Sequence, residues 1–287
     1  MTAKSKNILI TGASTGIGYD LVKVFLNNGY KVFGSIRKQE DADRLVKDFG
    51  ADFEPLLFDV TDHRAIDAAA GTLEGEIGNE GLGGLINNAG IAVAGPFIDL
   101  DVEEFQYQFD VNVFGLIKVT QAFLPLLGAR KNHGPIPGKI IQISSVSGRM
   151  GMPFVSPYAG SKHAIEGITE CIRKELLLFG IDVVLIEPGP IKTPIWDKSM
   201  NPLEDKFKDS AYHQIMKNAQ EKFIRPSIES ALPSDKVSQL IFDEFEKKKS
   251  CARKVIIARK FQNWTLPNLL PTRRLDKILG KALGLMK

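Results

Sequence analysis

Short runs of Ile, Val, Leu and Phe recur along the chain, separated by longer stretches whose apolar residues follow a helical period. The apolar runs are Asn7–Thr11, Lys31–Ile36, Phe53–Phe58, Leu82–Asn87, Lys139–Ser144, Asp182–Glu187 and Lys254–Ala258. They show little polar alternation, the pattern of strands covered on both faces. Helical patterns lie between them, near residues 17–28, 39–48, 62–77, 101–127, 157–179 and 233–248. Such alternation predicts right-handed βαβ units. The expected fold is α/β: a single doubly wound Rossmann-type domain, with a central parallel sheet of about seven strands and helices on both faces.

Two departures from this rhythm carry information. From Pro188 to about Pro233 the sixth strand is followed by a segment too long for an ordinary connection, which predicts a loop or lid over residues 190–232. In this sheet type ligands bind beyond the carboxyl ends of the strands, where that segment emerges. The second departure is polar. Phe105, Phe109, Asn112, Leu116, Val119 and Phe123 step by fours and threes along one helical stripe. Asn112 therefore faces inward, where an unbonded amide costs about 1–3 kcal/mol.

Composition adds limits. The 287 residues are 44% hydrophobic and 25% charged, as in soluble globules. Net charge is +3, unevenly spread: Lys247–Lys287 holds twelve Lys or Arg and one acid, Asp276, leaving 25 basic and 33 acidic residues in the first 246. No nucleic-acid recognition motif accompanies the basic tail, and no nucleic-acid partner is expected. Cys171 and Cys251 stand far apart without metal or disulfide spacing, which fits a reducing compartment. No leader-like segment opens the chain, and no stretch approaches the roughly twenty apolar residues of a bilayer span. A cytoplasmic protein is expected, with residues 1–260 as the catalytic domain and 261–287 as a basic amphipathic extension. In that extension Leu275, Ile278, Leu279, Ala282 and Leu283 alternate with Arg273, Arg274, Lys277 and Lys281. Packing on protein is favoured there over a membrane surface.

Between the first strand and helix the chain reads Thr11-Gly12-Ala13-Ser14-Thr15-Gly16-Ile17-Gly18. Glycines at such a junction permit a tight turn and let a diphosphate approach the N–H groups of a helix N-terminus. Further on come Asn87-Asn88-Ala89-Gly90, Tyr158-Ala-Gly-Ser-Lys162 and Pro188-Gly189. These four motifs, in this order over about residues 5–195, resemble the short-chain dehydrogenases/reductases of the single-domain branch. The Tyr158 helix and the bend Glu187–Thr193 are similar to those of retinol- and hydroxysteroid-type members.

The resemblance implies a dinucleotide site. Gly12, Ser14, Thr15, Gly16, Ile17 and Gly18 would form the diphosphate turn. Asn88, Ala89 and Gly90 would line the cleft, and Pro188, Gly189, Ile191 and Thr193 would meet the nicotinamide carboxamide. Asp59 and Val60 stand at the family's adenine contact, although a helix N-cap at Asp59 or Thr61 is an equally good structural role. At the end of the second strand Ile36 replaces the NAD-selecting acid, and Arg37-Lys38 follows. A guanidinium suits a 2′-phosphate, so NADP(H) is expected over NAD(H).

Tyr158 and Lys162, four apart, share one helix face. An adjacent ammonium stabilises a phenolate and lowers its pKa, so Tyr158 is the expected proton donor or acceptor. In the family the Lys also holds the nicotinamide ribose, a role carried to Lys162. Ser145 occupies the position of the substrate-orienting serine, with Ser144 and Ser147 as local rivals that spacing does not separate. The resemblance also implies that Asn112 holds a water linked to Lys162.

Other chemistries lack their residues: there is no G-x-S-x-G elbow, no metal-ligand cluster, and His163 reads as a helix-face residue. Met150, Met152, Phe154, Trp196, Met200, Tyr212 and Met216 suggest an apolar substrate wall. The expected partner is thus a lipophilic carbonyl or alcohol compound, and the family habit implies a homodimer or homotetramer. The alternative is a non-catalytic NADP(H) sensor.

Overall fold

A computed structural model describes residues 5–130, 136–195 and 206–286. Its core is a seven-stranded, wholly parallel sheet in the order β3-β2-β1-β4-β5-β6-β9. The strands are β1 Asn7–Ile10, β2 Lys31–Ile36, β3 Phe53–Leu57, β4 Gly84–Asn87, β5 Lys139–Ile143, β6 Asp182–Pro188 and β9 Arg253–Ile256; a separate pair comprises β7 Ile191–Lys192 and β8 Leu232–Pro233. The expected α/β fold and its seven strands are present, and strand limits differ from the apolar runs by at most two residues at either end.

Alternate residues of each strand serve two cores. Ile8, Ile10, Ile86, Ile141, Val184 and Ile186 pack with Leu21, Val22 and Phe25 of α1 (Gly16–Asn27), and with Val237, Ile241 and Phe245 of the helix Ser234–Glu246. Leu9, Leu85, Ile140 and Val183 point to the opposite face. There they meet Ile66 and Leu73 of α3 (His63–Ile77), and Val119 and Phe123 of the helix before β5. This two-sided burial explains why the strands read as unbroken apolar runs. The cap of α3 is Asp62, whose carboxylate accepts from the backbone N–H groups of Arg64 and Ala65 at 3.0 Å, so neither Asp59 nor Thr61 caps it.

The helical pattern at 101–127 is not one regular helix. It divides into α4 (Val102–Phe109), a π-helical turn at Asp110–Gly115, α5 (Leu116–Phe123) and a 3₁₀ turn at Leu124–Leu127. By length and composition this run could cross a membrane, contrary to expectation. Here it lies on the sheet as a core element, with Val111, Val119, Phe123, Leu126 and Leu127 buried. The π turn also shifts the inward stripe: in α4 the buried residue is Gln108, while Phe105 and Phe109 are only partly covered. Such turns frequently mark functional sites.

The segment after β6 leaves the body at β7 and rejoins it at β8, where Ile191 pairs with Leu232 and Lys192 with Pro233. Between them lie the helix His213–Ala219, a π turn at Gln220–Ile224 and the short helix Arg225–Glu229. The C-terminal helix Thr272–Leu283 packs through Gly280 and Leu283, in contact with His213–Ala219. One of its faces therefore rests on protein, while Ile278 stays exposed on the other.

Candidate active site

The β1–α1 turn is built for close backbone approach. Gly12 and Gly16 adopt positive φ (66° and 57°), where a side chain would be strained. A Cβ at Gly12 would come 2.9 Å from the Ala89 Cα, and one at Gly18 would come 2.1 Å from the Gly12 carbonyl oxygen. The turn is tied down from both sides. Thr11 Oγ1 accepts from the N–H groups of Asn88 and Ala89 at 2.9 and 3.0 Å, and the Asn88 amide donates to the carbonyl of Thr11 at 2.9 Å. Gly12 N–H donates to Ser35 Oγ at 3.0 Å. The N-terminus of α1 has no acid in its first turn and no side-chain cap, which leaves its N–H groups available to an anion.

From this turn a cleft of about 810 Å³ runs along the carboxyl ends of the strands. Gly12, Ser14, Thr15, Gly16, Ile17, Arg37, Lys38, Asp59, Val60, Asn88, Ala89 and Gly90 line its first part; Ser145, Tyr158, Lys162, Pro188, Gly189, Ile191 and Thr193 line its middle. Of the expected dinucleotide residues only Gly18 lies behind the wall, packed on the turn itself. The lining fits a dinucleotide: a glycine cradle at a bare helix start, then a basic corner. Arg37 is loosely held there, 3.7 Å from Asp59, with 58% of its side chain exposed. Ile36, at the position of a selecting acid, is buried in the core.

Tyr158 and Lys162 project from α6 (Ser156–Glu175) into the middle of the cleft. Lys162 Nζ donates to the carbonyl of Ile143 at 2.9 Å and stands 5.7 Å from the Tyr158 ring centre. Burial brings Lys162 down to about 8, with the charge of Glu166 opposing the fall. For Tyr158 the direction is opposite to that expected from the neighbouring ammonium. Burial raises the phenol above its ordinary value, and a hydrogen bond with Ser145 only partly offsets this. The ammonium's donor is directed at a backbone carbonyl, so desolvation prevails.

The three serines are now separated. Ser145 lies at the cleft, its hydroxyl 3.5 Å from the Pro188 carbonyl and accepting from Ser147 N–H at 3.1 Å. Ser144 also lines the cleft, but its hydroxyl donates to Glu166 at 2.5 Å. Ser147 lines the cleft but forms no bond with Tyr158 among those described.

Asn112 sits in the π turn with 1% exposure. Its oxygen accepts from Ile91 N–H at 2.9 Å; its nitrogen donates to the Ile91 carbonyl at 3.0 Å and to Ser161 Oγ at 3.1 Å. One turn earlier Gln108 accepts from Val93 N–H at 2.6 Å and donates to the Ile91 carbonyl at 2.9 Å. Two buried amides thus pin the loop after β4 that forms one cleft wall. The sequence pattern singled out only Asn112; Gln108, four residues earlier, lies off the four-and-three stripe Phe105, Phe109, Asn112 and was missed.

The far part of the cleft is mostly apolar, with His213, Lys217, Gln220 and Ser227 as its polar lining. Met152, Phe154, Met216 and Phe223 line it, together with Val93, Ile228 and Leu283, which were not singled out as substrate contacts. Met150 does not line it, because its N–H closes the turn onto the Val146 carbonyl at 3.1 Å. Tyr212 stands behind the wall with its ring 5.7 Å from that of Phe154. Trp196 and Met200 lie outside the described residues. No group of three or more His, Cys, Asp or Glu among the described residues could hold a metal ion.

The short chain dehydrogenase family model matches residues 6–203. An NADPH-dependent 3-dehydrocapnine reductase of Ornithobacterium rhinotracheale is 41% identical over 278 residues, 96% of each chain. Retinol dehydrogenase 7 of Rattus norvegicus is 34% identical over 235 residues, covering 80% of this chain and 71% of that protein. Among solved structures, a short-chain dehydrogenase from Streptomyces avermitilis superposes with a TM-score of 0.75 at 25% identity over 98% of both chains.

Proposed function

This chain belongs to the short-chain dehydrogenase/reductase family, and from that premise we propose that it reduces a ketone or aldehyde borne on a lipophilic body, with Tyr158 as proton donor. It is an NADP(H)-dependent oxidoreductase. The observation that carries the reading is geometric: Tyr158, hydrogen-bonded with Ser145 and beside Lys162, lines the middle of the cleft, and its phenol, raised by burial, holds a proton to donate in reduction. The 3-dehydrocapnine reductase supports the same direction, being named for NADPH.

When bound, NADP(H) supplies or accepts the hydride at the carbonyl carbon. The diphosphate would rest on the Gly12–Gly18 turn, Arg37 and Lys38 would meet the 2′-phosphate, and Ile191 and Thr193 would hold the carboxamide. Tyr158 donates its proton to the carbonyl oxygen, and Ser145 donates a hydrogen bond to the same oxygen as charge develops on it. Lys162 holds positive charge beside the phenol and steadies the phenolate left after transfer. Asn112 and Gln108 keep the Ile91–Val93 wall in place, excluding water from the reacting carbon.

Lys162 is charged only below about pH 8 in the ligand-free enzyme. Activity in reduction, read as kcat/KM, should therefore fall about tenfold per unit as pH rises beyond that point. A profile flat to about pH 10, the ordinary lysine range, would remove Lys162 from this role.

Substrate choice follows from the far wall. Met152, Phe154, Met216, Phe223 and Leu283 offer dispersion contacts and few donors. Long-chain or polycyclic carbonyl compounds should exceed small polar ones in kcat/KM by about 10²-fold or more, since each buried methylene contributes ~0.8 kcal/mol. NADPH oxidation over a carbonyl panel tests this, and equal turnover of both classes would overturn it.

A further inference from the structure

Beneath the site lies a cluster of ionisable groups to which the reaction as described assigns no work. Glu166 follows Lys162 by one turn of α6 and is 7% exposed; Glu187, the residue before Pro188, is wholly buried. Arg253 on β9 lies 2.9 Å from Glu166, 2.9 Å from Glu170 and 3.0 Å from Glu187. Ser144 donates to the other oxygen of Glu166 at 2.5 Å. The turn above has no spare room. A Cβ at Gly148 would fall 2.7 Å from the Ser144 hydroxyl and 2.8 Å from the Glu166 carboxyl.

The cluster therefore joins the three segments that carry Ser145, the Tyr158–Lys162 pair and the Pro188–Gly189 bend. Ser144 precedes Ser145, Glu166 shares its helix with Tyr158 and Lys162, and Glu187 precedes the Pro188–Gly189 bend. Its charge count is uneven. Within ion-pair distance, two buried carboxyls in mutual contact share one guanidinium, on which Glu170 also draws, while Arg149 acts from farther off. As carboxylates, the Glu166 oxygen nearer Arg253 and both Glu187 oxygens have no well-aligned hydrogen-bond donor. A proton between the two groups supplies the missing donor and removes the like-charge repulsion.

We propose that Glu166, Glu187 and Arg253 form a positioning cluster that sets Ser145 and the Pro188–Gly189 bend against Tyr158, and that its two carboxyls share one proton in the working enzyme. The positioning role rests on the reading of Ser145 and Tyr158 given above; the shared proton does not. The charged and titratable groups around the pair are Arg253 from β9, Arg149 from the turn after β5, and Lys162, His163 and Glu170 from α6. Burial and then the neighbouring Glu166 push Glu187 up to about 7; burial raises Glu166 also, against Ser144 and the arginines.

A carboxyl whose folded value lies above its unfolded one binds the extra proton in the folded state. Stability therefore falls as pH rises from the ordinary carboxylate range through about 7. Glu187→Gln keeps the shape and removes the titration. It should flatten the decline in Tm between about pH 5 and 8 by on the order of 5 °C. Infrared spectra of the ligand-free protein at pH 6 (inside the ~4–7 window of a raised carboxyl) should show the carbonyl band of a protonated carboxyl, lost in both Glu187→Gln and Glu166→Gln. Absence of that band, or parallel Tm curves, would overturn the shared proton.

Positioning is read with Ser144→Ala and Gly148→Ala, which leave every charge in place. Each should lower kcat about tenfold with the KM for NADPH within about twofold. A change in Tm with kcat unmoved would reduce the cluster to a structural bolt. A carbonyl panel on which the parent enzyme shows no turnover would sink the carbonyl reading instead, while the infrared and Tm results would still decide the proton.

Discussion

Replacing Tyr158 by Phe should lower kcat by about 10²–10⁴-fold, the usual contribution of a positioned general acid, while NADPH binds within about twofold of the parent. The ring fills the same space, so the cleft and its packing persist. What disappears is the only phenolic proton that, among the described residues, stands beside both Ser145 and Lys162. No other described group stands ready to replace it. Ser145 is an alcohol with its lone pair engaged by Ser147 N–H, and the Lys162 ammonium is directed at the Ile143 carbonyl. NADPH fluorescence titration and steady-state kinetics on one lipophilic ketone separate binding from turnover. A variant retaining more than about a tenth of kcat would show that water can deliver the proton, and would remove Tyr158 as the acid.

The second large effect concerns cofactor choice. Arg37→Ala should reduce the preference for NADPH over NADH by about 10²-fold in kcat/KM, mostly through KM for NADPH. A charge-assisted, two-pronged guanidinium–phosphate contact contributes roughly 1.5–3 kcal/mol, and Lys38 retains part of the local charge. The geometry favours a full effect. Among the described residues Arg37 is held only by a 3.7 Å pair with Asp59, itself occupied by the Thr61 N–H and hydroxyl at 2.9 and 2.8 Å. NADH, without the phosphate, should respond within about threefold. Equal losses for both cofactors would mean that Arg37 supports the fold of this corner and does not select the phosphate.

What could be read from residue order alone was what depends on local sequence. Both-sided strand burial leaves uninterrupted apolar runs, and positive φ at Gly12 and Gly16 leaves glycines at fixed spacing. What could not be read depends on contacts between distant segments. Spacing alone did not choose Ser145 over Ser144; the resemblance did, and its physical reason, that Glu166 takes the Ser144 hydroxyl, appears only in the packing. Nothing near Arg253 hints that it meets residues on α6 and β6. The inward turn of Gln108 was hidden by the π turn, because a four-and-three step count assumes an unbroken helix. The direction of Tyr158 failed for a related reason. Spacing places an ammonium beside the phenol, but only packing shows how dry the phenol is and where the ammonium points.

The parallel pair β7–β8 has a consequence for how such enzymes diversify. Because Ile191 meets Leu232 and Lys192 meets Pro233, the long excursion over the cleft begins and ends at a single knot beside the residues that would grip the nicotinamide. Whatever is drawn out beyond a knot can be lengthened, shortened or rewritten without altering the span across its base, and loop-closure entropy grows only slowly with length. Descent with modification can therefore retailor the pouch for new cargo while the grip on the cofactor is inherited unchanged.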